Sequence, residues 1–140
     1  MRLTRNDSVG PFPAQGLGAR DHVSIGVSDI ERSKAFYDQA LKPLGIERLD
    51  FEGEHSAGYG ENRKAFFWIG LREAVRTGTH IAFVAMDHAA VDAFHAAALS
   101  VGGRDNGAPG LRLRYHADYY GAFVLDPDGH NIEAVCRRPV

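Results

Sequence analysis

Between Asp21 and Val27 apolar Val23, Ile25 and Val27 alternate with His22, Ser24 and Gly26, the period of a strand with one buried face. At Ser28 the pattern changes. Ser28-Asp29-Ile30-Glu31 has the form of a capping box, with Ser28 accepting from the Glu31 backbone, and Ile30, Ser33, Phe36, Tyr37, Ala40, Leu41 and Leu44 then recur at helical spacing up to Gly45. Short strand patterns follow at Ile46 to Phe51, around His55 to Tyr59 and at Lys64 to Gly70, separated by glycine and polar residues. The order is β-α-β-β-β. After a polar connection from Leu71 to Gly78 the scheme restarts at His80, with a helix capped near Asp87, carried by Val91, Phe94 and Ala98, and stopped at Gly102-Gly103. It ends in a hairpin: Tyr119 to Leu125 and Asn131 to Cys136 flank Asp126-Pro127-Asp128-Gly129, where proline presets a turn and glycine supplies positive φ.

The restart is a sequence repeat. Shifted by 58 residues, Asp21 to Leu41 aligns without a gap on Thr79 to Leu99, with six identities that include His22/His80, Asp29/Asp87, Phe36/Phe94 and Leu41/Leu99. Two copies of one supersecondary unit place each histidine at the same point of its own module. The fold class predicted is therefore α+β: a single domain over residues 20–140 built of two tandem β-α-β-β-β modules (20–70 and 79–137). Residues 1–19, rich in glycine and proline without a period, are read as an irregular arm.

Composition narrows the partners. The 140 residues are 44% hydrophobic, enough for one core, and the formal net charge of −2 comes from interspersed signs. With no basic run, neither nucleic acid nor an anionic membrane is an expected partner, which leaves a small molecule. The single Cys136 excludes an intrachain disulfide framework and a thiolate-rich zinc site. No apolar run reaches membrane-spanning length and no signal-peptide h-region is seen, so a cytoplasmic location is expected.

The chemistry follows from strand faces. If Val23, Ile25 and Val27 cover the helix, His22 faces the other way; Ile81, Phe83 and Ala85 do the same for His80, and Glu133 opposes its strand's apolar set. Two imidazoles and one carboxylate would then enter one cavity, the donor set of a divalent first-row ion. Tyr119, Tyr120, His116 and Tyr59 are candidate bases at the cavity mouth. Trp68 and Phe66, together with Tyr59, are candidates for an aromatic substrate wall. His88, His95 and His130 are read as surface or helix-face residues and Cys136 as core, none with a role.

At Asp21-His22-Val23, Ser33 to Leu44, His80 to Phe83 and Phe123 to Glu133 the chain resembles the vicinal oxygen chelate superfamily, which includes glyoxalase I, extradiol dioxygenases, fosfomycin-resistance enzymes and bleomycin-binding proteins. The resemblance implies a half-open, cup-shaped barrel. It also implies metal ligands on the first and last strand of each module, which map to His22, Trp68, His80 and Glu133. An indole offers no lone pair, so three ligands remain, a 2-His-1-carboxylate set for Fe, Mn, Ni or Zn with positions open to substrate. The function so implied is a metal-dependent lyase or dioxygenase acting on a small oxygen-rich or aromatic metabolite. Its rival is a metal-free sequestration protein of the bleomycin-resistance type, with Trp68 as a stacking platform. The Lys- and Arg-rich anion site of a fosfomycin enzyme is not evident in the sequence. A homodimer is expected, with the site formed either within one chain or across two.

Overall fold

The computed structural model describes residues 21–49 and 53–139. The arm expected over 1–19 and the end of the strand expected over Ile46 to Phe51 therefore lie outside the described residues. The first module runs β1 (Val23–Val27), α1 (Ile30–Ala40), a 3-10 turn (Lys42–Leu44), β2 (Glu47–Leu49), β3 (Ser56–Glu61) and β4 (Lys64–Leu71). The second runs β5 (His80–Val84), α2 (His88–Ser100), β6 (Arg104–Leu111), β7 (Tyr120–Leu125) and β8 (Asn131–Cys136). Each module folds into its own four-stranded sheet, ordered β1-β4-β3-β2 and β5-β8-β7-β6, with one parallel pair (β1/β4, β5/β8) and the remainder antiparallel. The tandem β-α-β-β-β architecture is the one the repeat predicts.

Two local expectations shift. The cap of α1 is Asp29, whose carboxylate accepts from the Arg32 backbone N–H at 3.0 Å, and not Ser28. Ser28 donates instead through Oγ and its backbone N–H to Asp128, 2.5 and 3.1 Å away, a hundred residues along the chain. The cap of α2 is Asp87 as expected, accepting from Ala90 N at 2.8 Å. Strand β6 is an addition. Its register on β7 slips on both sides of Gly107, and it carries Pro109, so its sequence shows no period. As an edge strand it tolerates both.

The helix-facing residues of both sheets meet in one core. Ile25, Val27, Phe67 and Ile69 from the first module join Phe83, Val124, Ile132 and Ala134 from the second, with Phe36 and Phe94 of the helices between them. Phe67 and Phe83 stack edge-to-face across the two modules, centroids 5.2 Å apart. A face of a sheet that supplies the core cannot also face water, so the opposite faces of both sheets look outwards. His80 (50% side-chain exposure) and Val84 (80%) stand on that outer face of β5.

Polar contacts lock the modules around the Asp126–His130 turn. Asp126, 1% exposed, accepts from Tyr37 OH of α1 at 2.5 Å and from the backbone N–H groups of Asp128 and His130, each at 2.9 Å. His130 is buried at 1% and donates from Nε2 to the Gly26 carbonyl of β1 at 2.8 Å, so it is an intermodule tie and not the surface residue expected. Cys136 is core as expected. Removing Asp126 would orphan three donors, two of them buried, whereas removing the Tyr37 hydroxyl leaves Asp126 two of its three. We expect Asp126→Ala to cost about 3 kcal/mol or more and Tyr37→Phe about 1 kcal/mol in urea unfolding; equal costs would mean that the turn is not held by this carboxylate.

Candidate functional site

The outer face of the second sheet is built around Glu133. In β8, Ile132, Ala134 and Cys136 point to the core, which turns Glu133 outwards, beside Ala82 of β5 and opposite Phe123 of β7. It is nonetheless 1% exposed. Its Oε1 lies 2.8 Å from His80 Nε2, and its Oε2 accepts from the Tyr119 hydroxyl. Gly121 leaves the space for this arrangement: a Cβ there would come within 3.2 Å of the Tyr119 ring and 3.3 Å of Oε2. Burial, followed by the hydrogen bond to Glu133, raises the Tyr119 pKa from 10.0 to about 12. Tyr119 therefore holds its proton at neutral pH and orients the carboxylate as a donor.

A buried carboxylate that faces only a phenol and a half-exposed imidazole is suited to a cation, and His80 and Glu133 present two converging donor atoms of the right kind. The third expected ligand is elsewhere. His22, just ahead of β1, bonds Asp21 through Nδ1 at 2.9 Å on the exposed edge of the first sheet, and Asp21 also pairs with Lys64. Among the described residues no group of three His, Cys, Asp or Glu side chains is placed to hold a metal. The outward orientation of the two faces accounts for that separation within one chain.

Other candidates divide by strand face. Trp68 lies on the outer face of β4, beside Ser24 of β1 and above Gly58 of β3, where a Cβ would approach its ring to 2.8 Å. Phe66 has the same parity and is partly buried against the core. Tyr59 points the other way: it is fully buried, lies with its ring tilted against those of Tyr37 and Phe67, and donates to Asp38 at 2.9 Å. Its burial and the Asp38 carboxylate push its pKa far up, so it is neither wall nor base. Tyr120, one residue from Tyr119 and so on the opposite face, stacks on His88 at 3.9 Å and donates to Asp92 of α2, away from Glu133. His116 is exposed on the loop that carries Tyr119, with Nδ1 accepting from Asp118 N at 3.0 Å.

The sequence reading missed the arginines of this face. Arg112 lies 5.5 Å from the Phe123 ring centroid, Arg137 4.9 Å from that of Tyr119, and Arg114 5.0 Å from that of Tyr115. The signal was the alternation in Leu111-Arg112-Leu113-Arg114-Tyr115, which has no regular strand to frame it.

Comparison with known proteins assigns the family. The profile of the Glyoxalase/Bleomycin resistance protein/Dioxygenase superfamily matches residues 19–134, most of the chain. The chain belongs to that superfamily. Among solved structures it is similar to a glyoxalase/bleomycin resistance protein from Albidiferax ferrireducens T118, with 34% identity over 85% of this chain and 98% of that one, at a TM-score of 0.72. A second superfamily structure, the fosfomycin resistance protein FosX from Mesorhizobium loti, shares the fold at 18% identity and TM-score 0.62, over 86% of this chain and 92% of that one. FosX from Listeria monocytogenes, in complex with Mn(II) and 1S,2S-dihydroxypropylphosphonic acid, also matches at 18% identity and TM-score 0.62, over 85% and 90%. No curated protein matches the chain. The superfamily thus supplies enzymes on this fold, and no helix among the described residues is long and apolar enough to cross a membrane.

Because Tyr119 titrates near 12 when folded and near 10 when unfolded, the folded state holds a proton that the unfolded state has lost between those values. Its stabilisation is complete below about pH 10 and falls as pH rises to about 12. Tyr119→Phe should therefore flatten the decline of stability across that window relative to the parent protein, measured by urea midpoints at successive pH values. An unchanged slope would mean that burial and Glu133 together do not raise the Tyr119 pKa.

Proposed function

We propose that the protein is a metal-dependent enzyme of the superfamily, lyase or dioxygenase in class, whose site is His80 and Glu133 of one chain with His22 of a second copy. The observation that carries this reading is the His80–Glu133–Tyr119 constellation on an outward sheet face, where a buried carboxylate is fixed by a donor on one oxygen and shares the other with an imidazole. Such hydrogen-bonded support of a ligating carboxylate is what a metal site requires of its surroundings. Both modules give their inner faces to one core, so facing the two outer faces toward each other takes two molecules. A C2 homodimer would set the edge bearing His22 against the face bearing His80 and Glu133. The Mn(II) in the Listeria FosX structure supports a divalent ion on this fold.

A divalent ion in that position supplies a Lewis acid for a ligand presenting two adjacent oxygens. Glu133 and His80 fix its place, and Tyr119 keeps Glu133 from rotating. Tyr119 holds its proton to about pH 12, so proton exchange falls to His116 on the same loop, whose imidazole suits it. The outer aromatics Trp68 and Phe66 would exclude water and hold a planar or apolar portion of the substrate. A second reading, sequestration without a metal, is favoured by the Trp68 ring lying over Gly58, a flat surface for stacking.

Metal content of untagged protein soaked in Mn, Fe, Ni or Zn and desalted tests the proposal. We expect near-stoichiometric metal in the parent and at least about a tenfold loss in His22→Ala, His80→Ala and Glu133→Gln. Unfolding and refolding His22→Ala with His80→Ala should restore about a quarter of the sites, because each mixed dimer regains one intact site. Metal retained by all three variants, or by none of the proteins, would sink the metalloenzyme; loss without restoration on mixing would sink the two-chain site.

A further inference from the structure

Three guanidinium groups on the outer face of the second sheet serve no part of the proposed mechanism. Arg112 is held in place: Nη2 donates to the Ala108 carbonyl at 2.7 Å, and the group rests over Phe123. Glycines make its lane, since a Cβ at Gly107 would come within 3.3 Å of the guanidinium and one at Gly110 within 3.1 Å. Phe123 in turn is the cross-strand partner of Glu133, and its ring centroid is 6.0 Å from that of His80. Arg137 lies over Tyr119, which donates to Glu133. Arg112 and Arg137 thus each stand one aromatic ring away from the His80–Glu133 pair. Arg114 adds a third charge, over Tyr115, whose ring is 5.0 Å from that of Tyr119.

None of these arginines is in an ion pair among the described residues; the ion-paired arginines are Arg32 and Arg48, both in the first module. Glu133, the carboxylate between the rings, is already engaged by His80 and Tyr119. A guanidinium held over a ring face by its charge keeps N–H donors for a planar or tetrahedral oxyanion, and the ring, with the Ala108 carbonyl in the case of Arg112, limits where the group can go. We infer that the ligand of this face carries an oxyanion, a carboxylate or a phosphoryl group, docked on Arg112 and Arg137. The inference rests on the proposed function only for where the rest of the ligand goes: its vicinal oxygens reach His80 and Glu133 while the anion is gripped beyond the aromatic rings.

Calorimetric titration of the full chain, with and without Mn(II), tests this with benzoate and phenylphosphonate against the neutral isostere benzamide. The anions should bind at least about tenfold more tightly than benzamide, less so as NaCl is raised, and Arg112→Gln and Arg137→Gln should each cost about tenfold for the anions and little for benzamide. Which of the two anions binds better distinguishes a carboxylate from a phosphoryl ligand. Arg112→Lys, which keeps the charge and loses the fork, should recover part of the loss, and it carries the test with Arg137→Gln if Arg112→Gln does not fold. Benzamide binding as well as the anions, no anion binding, or unchanged affinity in both Gln variants would overturn the inference. An anion preference in protein that retains no metal would leave it standing while sinking the metalloenzyme. Retained metal with no anion preference would sink it alone.

Discussion

Everything in this molecule depends on the two sheets giving the same kind of face to one shared interior. A single β-α-β-β-β unit has one sheet and one helix, too little to bury its own apolar residues on all sides. Phe67 against Phe83, and Phe36 and Phe94 between the sheets, make each module the wall of the other. The contact decides more than stability. Once the inner faces are joined, residues of the opposite parity must look away from each other, and the histidines that the repeat makes equivalent end up on separate outer surfaces.

The polar seam serves the same constraint. Asp126, Tyr37, His130 and Gly26, with Ser28, Arg32 and Asp128 at the rim, tie the hairpin of one module to the strand and helix of the other. Apolar packing tolerates sliding, whereas a buried carboxylate with three donors accepts one register only. The turn at Asp126 to His130 is therefore a hinge pin as well as a hairpin. The position of Glu133, three residues further on, is set by it.

The tandem modules were legible because strand and helix periods are properties of local sequence, and repetition doubled the signal. Asp87 was legible as a cap for the same reason. Ser28 was not, because two good capping residues stand side by side and the choice was made by Asp128, far away in sequence. The pairing of His80 with a carboxylate on a common face could be read from parity in β5 and β8. Tyr59 and Tyr120 were not placed, since a shift of one residue changes the face: Tyr59 ended a loosely bounded strand pattern, and Tyr120 stood directly beside Tyr119 in the other. Arg112, Arg114 and Arg137 escaped because what gathers them is contact with the rings of Phe123, Tyr115 and Tyr119, reached from the loop after β6 and from the residue after β8, across a β6–β7 pairing that Gly107 and Pro109 conceal. The separation of His22 from His80 is a matter of how modules are mated, about which a repeat is silent.

The sheet margins carry one more consequence. Each sheet has two borders of unequal quality: β1 and β5 are five regular residues long, whereas β2 is three and β6 is interrupted at Gly107 and Pro109. A sheet with two good borders can recruit strands from both sides and grow into a fibre. A sheet with one can be satisfied once, after which nothing remains to extend. The shortness of β2 and the irregularity of β6 thus leave each sheet a single regular border, β1 in one and β5 in the other, on which a further strand can pair.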